Sequence, residues 1–324
     1  MLRVLYTITT LAIGLFLVYL GFSRLTSSDV ENIKSSFSNI HYIYIFFAVI
    51  TGIISHFARS HRWKYLLQPM GYESGEMERF YIVMIGYLVN LGVPRLGEVS
   101  RSAIMAKRNN FSTSRVLGTI ITERIIDLAI LAFLTVLVFF LDYKIVISMY
   151  TKFQSSIQGK FSSLITLGYL VLFFAIGISF FAYLGRKSRI FSFVTQKIRL
   201  AWEGIKTVFT LDNKITFLAD TIAIWFLYVL MFYFTFLSLP GLSAVPFYAA
   251  LTTYVIATYS VLFIQGGIGV YPIVVMIVLK FFSVEEYLGY AVGWVFWTLQ
   301  VVVIVSLGVL SLAFLAVKKN EPAN

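Results

Sequence analysis

The chain has 324 residues, 59% hydrophobic and only 13% charged, with no cysteine and a formal charge of +11. Soluble domains carry about 25% charged residues, so a soluble fold is excluded, and continuous rather than alternating apolar runs exclude an outer-membrane barrel. Lack of cysteine also excludes disulfides, thiolate metal sites and cysteine nucleophiles.

In chain order, apolar segments fall at 4–23, 42–58, 79–93, 117–141, 161–184, 215–238, 244–264, 271–283 and 288–317. A run of about 18 residues or more can cross a ~30 Å hydrocarbon core as a helix. The first segment is long and has no A-x-A-like end, so it reads as a retained helix rather than a cleaved signal. Segment 79–93 rises only about 22 Å as a helix and reads as a hairpin that enters and leaves on one side. Basic residues then divide unequally. Arg3, Arg59, Arg62, Lys64, Arg79, Arg95, Arg101, Lys107, Arg108, Arg115, the loop 185–214, Lys318 and Lys319 share one side. Arg24, Lys34, Lys144, Lys152, Lys160 and Lys280 share the other. By the positive-inside rule both termini are cytoplasmic.

The expected fold is therefore an all-α polytopic membrane protein. It has about eight transmembrane helices, with 271–283 counted as one, and re-entrant or broken segments near 79–97 and 264–283. Residues 1–324 form a single integral membrane domain. The basic loop 185–214 is cytoplasmic, and its Trp202 with spaced apolar residues suits an amphipathic surface helix as well as a solvated loop. The same charge rule accounts for the +11, so nucleic acid is not an expected partner. His41, His56 and His61 form no HExxH, and His56 and His61 are five apart, a poor spacing for one helix face. No metal and no cofactor is expected.

Four stretches carry chemistry. "HFARSHRWKYLL", residues 56 to 67, follows the second span; Arg59, Arg62, Lys64 and Trp63 read as interfacial anchors or as a lipid-phosphate contact. In "NLGVPRLGEVSR", residues 90 to 101, Pro94 pushes Val93 out of helical geometry and should break the helix. Gly92 and Gly97 permit tight backbone, and Arg95 and Arg101 can bind phosphate or pair with Glu98. A helix end with snorkelling charges is the alternative.

"TERIIDL" puts Glu123, Arg124 and Asp127 some 9–15 Å into an apolar helix. Glu123 and Asp127 share a face, and Arg124 reaches Asp127 at i+3. Intramembrane charges are expensive and face a partner or a cavity; here they form either a site or a helix clamp, with Arg95 or Arg101 as partners. In "FIQGGIGVYP", residues 263 to 272, Gly266, Gly267, Gly269 and Pro272 interrupt a helix, with Gln265 as polar handle. This suits the broken helices of transporters or close helix packing.

Taken together, "RWKYLL", Asn90 with "PRLGEVSR", "TERIIDL" and "GGIG" resemble the lysylphosphatidylglycerol synthase transmembrane domain family, also called flippase-like domain proteins. The pieces occur in the family's order and cover nearly the whole chain. The resemblance implies an eight-span bacterial inner-membrane core that moves anionic or aminoacylated phospholipid, or polyprenyl-linked lipid, between leaflets. Tyr271 and Pro272 stand where many members place an acidic residue after the glycines. The full synthases also carry an aminoacyl-transferase domain, for which this chain has no room, so synthase activity is not expected.

On this reading Asn90, Arg95, Glu98, Arg101, Glu123, Arg124, Asp127 and Gln265 would bind the headgroup. Pro94, Gly97, Gly266, Gly267, Gly269 and Pro272 would act as hinges. The partner is a membrane lipid with a phosphate headgroup, with room for a glycosyltransferase or aminoacyl-transferase partner. No ATP-binding motif is present, and catalytic residues are not expected. The rival reading is a membrane-embedded enzyme or accessory subunit acting on lipid-linked sugar or phosphate; a third is a scaffold whose charges are structural clamps.

Overall fold

A computed structural model describes residues 14, 16, 18–19, 21–23, 25–93, 95–158, 211–263 and 265–317. Among them the chain is helical with no strand: an all-α polytopic membrane protein. In order, the helices are α1 (Ser27–Ser38), α2 (Tyr42–Leu67), α3 (Glu76–Gly92), α4 (Leu96–Asn109), α5 (Thr113–Leu141), α6 (Tyr143–Gln158), α7 (Lys214–Ser238), α8 (Phe247–Phe263), α9 (Val270–Lys280) and α10 (Glu286–Val317). Four of them are long and apolar enough to cross a membrane: α2 with its extension to Met70, α5, α7 and α10. Segment 161–184 and residues 185–210 of the basic loop lie outside the described residues, as does most of 4–23.

The short apolar segments fold as two hairpins. In the first, α3 stops at Gly92 and Val93 turns extended (φ −134°, ψ 121°), the geometry a following proline imposes. Pro94 itself lies outside the described residues. Arg95 then adopts a left-handed conformation (φ 60°) and α4 runs back. The arms are antiparallel: Arg108 Nε donates to Glu78 Oε1 at 2.9 Å near the open end, and Gly97 meets Gly86 near the tip. A Cβ on Gly97 would lie 2.0 Å from the Gly86 carbonyl oxygen, so only glycine lets these backbones approach so closely.

Helices α8 and α9 form the second hairpin. Gly266, Gly267 and Gly269 all have positive φ (62°, 67° and 73°), the region glycine enters at no steric cost. Tyr248 and Phe282 pair near the open end with centroids 6.0 Å apart; nearer the tip, Tyr254 and Tyr271 both pack on Phe296. Pro272 is the third residue of α9, in the first turn, where the missing N–H costs no helical hydrogen bond. The sequence counts 244–264 and 271–283 as spans. Here they are helices of 17 and 11 residues, about 25 and 16 Å long, folded back on each other as the two arms of a hairpin.

The hairpins open at opposite ends of α5. The first opens beside its start, where Tyr72 stacks on Phe111 and its hydroxyl accepts from the Ser112 N–H. The second opens beside its end, where Thr252 Oγ1 donates to Asp142 Oδ2 at 2.5 Å. Since α5 is long and apolar enough to cross a membrane, the hairpins open toward opposite ends of one candidate span. Helix α10 packs on both. Added Cβ atoms at Gly293 and Gly308 would lie 2.6 Å from Pro272 Cα and 2.7 Å from Leu88 Cβ.

Apolar side chains form two cores, one around Phe232, Val255 and Phe296, the other around Trp63, Ile82, Met105 and Phe217. Along α2, the buried polar residues Ser55, His56 and Arg59 lie between the part that joins the first core (Ala48) and the part that joins the second (Trp63). That junction holds the charges.

Candidate functional site

Residues Thr51, Ser55, His56, Arg59, Arg62 and Trp63 are buried on α2 and recur at the three- and four-residue spacing of one helix face. That face turns inward. Arg59 and Arg62, read from sequence as surface anchors, are instead 5% and 0% exposed. Both reach Asp127 on α5: Arg59 Nη1 donates to Oδ2 at 2.6 Å and Arg62 Nη1 to Oδ1 at 2.9 Å. Arg62 Nη1 also lies 3.3 Å from Thr221 Oγ1 on α7. One carboxylate thus ties three helices, through two arginines that sequence spacing alone does not assign to it.

One helical turn earlier on α5, Glu123 accepts two hydrogen bonds from Arg101 of α4, at 2.6 and 3.3 Å. The Arg101 guanidinium carbon sits 3.7 Å from the centroid of the Trp63 ring, whose Nε1 donates to Thr119 Oγ1 at 2.9 Å. A cation over a tryptophan face, away from water, is stabilised by about 2 kcal/mol or more. The pairing of Arg101 with a "TERIIDL" carboxylate matches the sequence expectation.

The other expected pairings are rearranged. Arg124 turns to Glu98 Oε1 (3.4 Å) while Asp127 is held from α2. Glu98 Oε1 also accepts from Asn90 Nδ2 at 3.2 Å, and Asn90 Oδ1 accepts from the Gly97 N–H at 2.7 Å. Asn90 therefore fixes both the turn and the carboxylate. Arg95 is exposed at the tip and forms no ion pair among the described residues. The Gln265 side chain lies outside them. The glycine break touches α3 and receives the Trp297 Nε1 hydrogen bond at Gly266 O (2.6 Å).

Asn90, Glu98, Arg101 and Arg124 line a small half-open cleft, about 10 Å³, with Tyr87, Gly86, Gly97, Val83 and Ile120. On the same two helices, α4 and α5, Leu96, Val99 and Ile121 are 39%, 48% and 40% exposed. Leu128, four residues after Arg124 on α5, is exposed too. Exposed apolar side chains on a helix long and apolar enough to span suit contact with lipid. No group of three or more metal-ligating side chains occurs among the described residues.

Buried, unpartnered donors are concentrated here: Arg59 Nε, Arg62 Nε and Nη2, and Arg101 Nε, with Glu98 Oε2 as the unpartnered acceptor. Three buried arginines (Arg59, Arg62 and Arg101) stand against two comparably buried partners, Glu123 and Asp127, among the described residues of α2, α4 and α5. The layer is rich in positive charge.

The chain is 29% identical over 98 residues, 29% of its own length and 29% of the relative's, to a UPF0104 membrane protein of Methanocaldococcus jannaschii; the match thus spans under a third of that relative. No solved structure matches the chain. The family model described as the lysylphosphatidylglycerol synthase TM region matches residues 8–315, and the chain belongs to that family.

Proposed function

We propose that the chain is a flippase-like lipid translocase, moving an anionic or aminoacylated phospholipid, or a polyprenyl-linked lipid, across the inner membrane. The observation that carries this is the cleft. It holds Arg101 and Arg124 on helices that also carry the exposed apolar side chains Leu96, Val99, Ile121 and Leu128. A phosphate headgroup would find cationic and N–H donors inside, while its acyl chains stay among apolar side chains outside. Two re-entrant hairpins from opposite faces, broken at Val93–Arg95 and at Gly266–Gly269, add the irregular backbone that transporter sites use.

The test is transport in liposomes with labelled phosphatidylglycerol, aminoacylated phosphatidylglycerol or polyprenyl phosphate in both leaflets. The purified chain should speed loss of inner-leaflet protection for at least one of them, with or without an ion gradient. No acceleration for any lipid would overturn the reading and favour an enzyme, an accessory subunit or a scaffold.

A further inference from the structure

The two arginines lining the cleft are held very differently. Arg101 is 5% exposed, Glu123 is 1% exposed, and both Arg101 Nη atoms are spent on that carboxylate. Trp63 closes one face of its guanidinium. Moving it would leave Glu123 buried and uncompensated, which is strongly destabilising. Arg124 is 42% exposed on its side chain and contacts Glu98, itself 24% exposed, through one nitrogen at 3.4 Å. It rests 5.9 Å from the Tyr87 ring. One nitrogen at 3.4 Å is a longer and less complete contact than the two hydrogen bonds that hold Arg101 to Glu123.

Glu98 is prepared to lose that partner. Asn90 Nδ2 still donates to its Oε1, and Asn90 is itself pinned by the Gly97 N–H. The carboxylate would stay in place while the cation leaves.

We infer that Arg124 and Glu98 form an exchangeable counter-ion pair across the cleft: an entering phosphate takes Arg124 from Glu98, while Arg101 stays locked as scaffold. The inference rests on the lipid reading above and assigns the roles within it. Glu98 competes with the ligand, so an empty cleft keeps its own cation occupied and rejects weakly bound anions. The site's flanking side chains Ile121 and Leu128, on the Arg124 face of α5, favour a lipid phosphate over a free one.

The test uses the full chain in neutral detergent, with phosphatidylglycerol retention counted by native mass spectrometry, diacylglycerol as the phosphate-free control and inorganic phosphate as competitor. Arg124→Gln should weaken retention about tenfold, and Arg124→Lys, which keeps a point charge, should lose no more than about threefold. Glu98→Gln should tighten retention about two- to fivefold, because the competing carboxylate charge is gone. Unchanged retention in Arg124→Gln, or weaker retention in Glu98→Gln, overturns the exchange while leaving lipid binding standing. Displacement by inorganic phosphate at the lipid's own concentration keeps the exchange and overturns the lipid reading. No retention of phosphatidylglycerol over diacylglycerol by the unaltered chain overturns both. The 42% exposure of Arg124 makes the glutamine variant foldable, which its melting temperature checks.

Discussion

The Arg101 guanidinium lies 3.7 Å above the Trp63 ring while both of its terminal nitrogens hold Glu123. Three helices, α2, α4 and α5, meet in that stack. Trp63→Ala removes the ring, the Thr119 hydrogen bond and the packing, and should cost about 3–5 kcal/mol, the range for a buried large aromatic. Trp63→Phe keeps a π face and should cost less than half as much. Thermal melts of the purified protein in one detergent check both.

Asp127 binds two arginines that are almost wholly buried. Asp127→Asn leaves both without a counter-charge, and the loss should reach about 3–5 kcal/mol. Replacing all three charges together, Asp127→Leu with Arg59→Met and Arg62→Met, should restore much of the stability, because no buried charge is then left alone. Urea or thermal unfolding of the single and triple variants compares them; a triple variant less stable than Asp127→Asn would contradict the argument.

Glycines at the first hairpin are unequal. Gly97→Ala puts a methyl 2.0 Å from the Gly86 carbonyl oxygen, whereas Gly92→Ala meets nothing within 4 Å. The first should destabilise by about 1–3 kcal/mol by forcing the arms apart; the second should be near neutral. The absence of native cysteine allows spin labels on introduced pairs in α3 and α4 to measure the widening directly.

Opposite entry of the hairpins has a labelling signature. Ser114→Cys, beside the first hairpin's open end, and Ser243→Cys, beside the second's, are both exposed positions. A membrane-impermeant thiol reagent added to sealed vesicles should modify one and spare the other, and the pattern should invert in inside-out vesicles. Modification of both from a single side would refute the topology.

Much of this was legible in residues. Pro94 and the glycines at 266–269 announce their breaks through local backbone rules, which need no tertiary knowledge, and both breaks are present. The membrane class follows from composition, and the Arg101–Glu123 pair from charges that must find each other in lipid. The arginines on α2 were not legible as site residues. Positive-inside counting assigns any cation near a span end to the surface, and only the spacing of Ser55, Arg59, Arg62 and Trp63 on one face hinted that they turn inward. Likewise, helix spacing offers Asp127 to Arg124, but the nearer choice loses to two arginines on another helix. Hydropathy reads a span wherever apolar residues run on, and it cannot distinguish a crossing from the arm of a hairpin such as α8–α9.

Helix α10 has 32 residues and is about 48 Å long, more than the ~30 Å hydrocarbon thickness. Its backbone comes close to the second hairpin at Gly293 and to the first at Gly308, while Phe296 and Phe314 pack their rings on Tyr271 and Tyr81 of the same two hairpins. Rotamer changes absorb small displacements elsewhere in a packed interior, but a glycine has none to offer. The helix is thus one wall shared by the two hairpins, and a methyl group added at either glycine would push that wall off one of them.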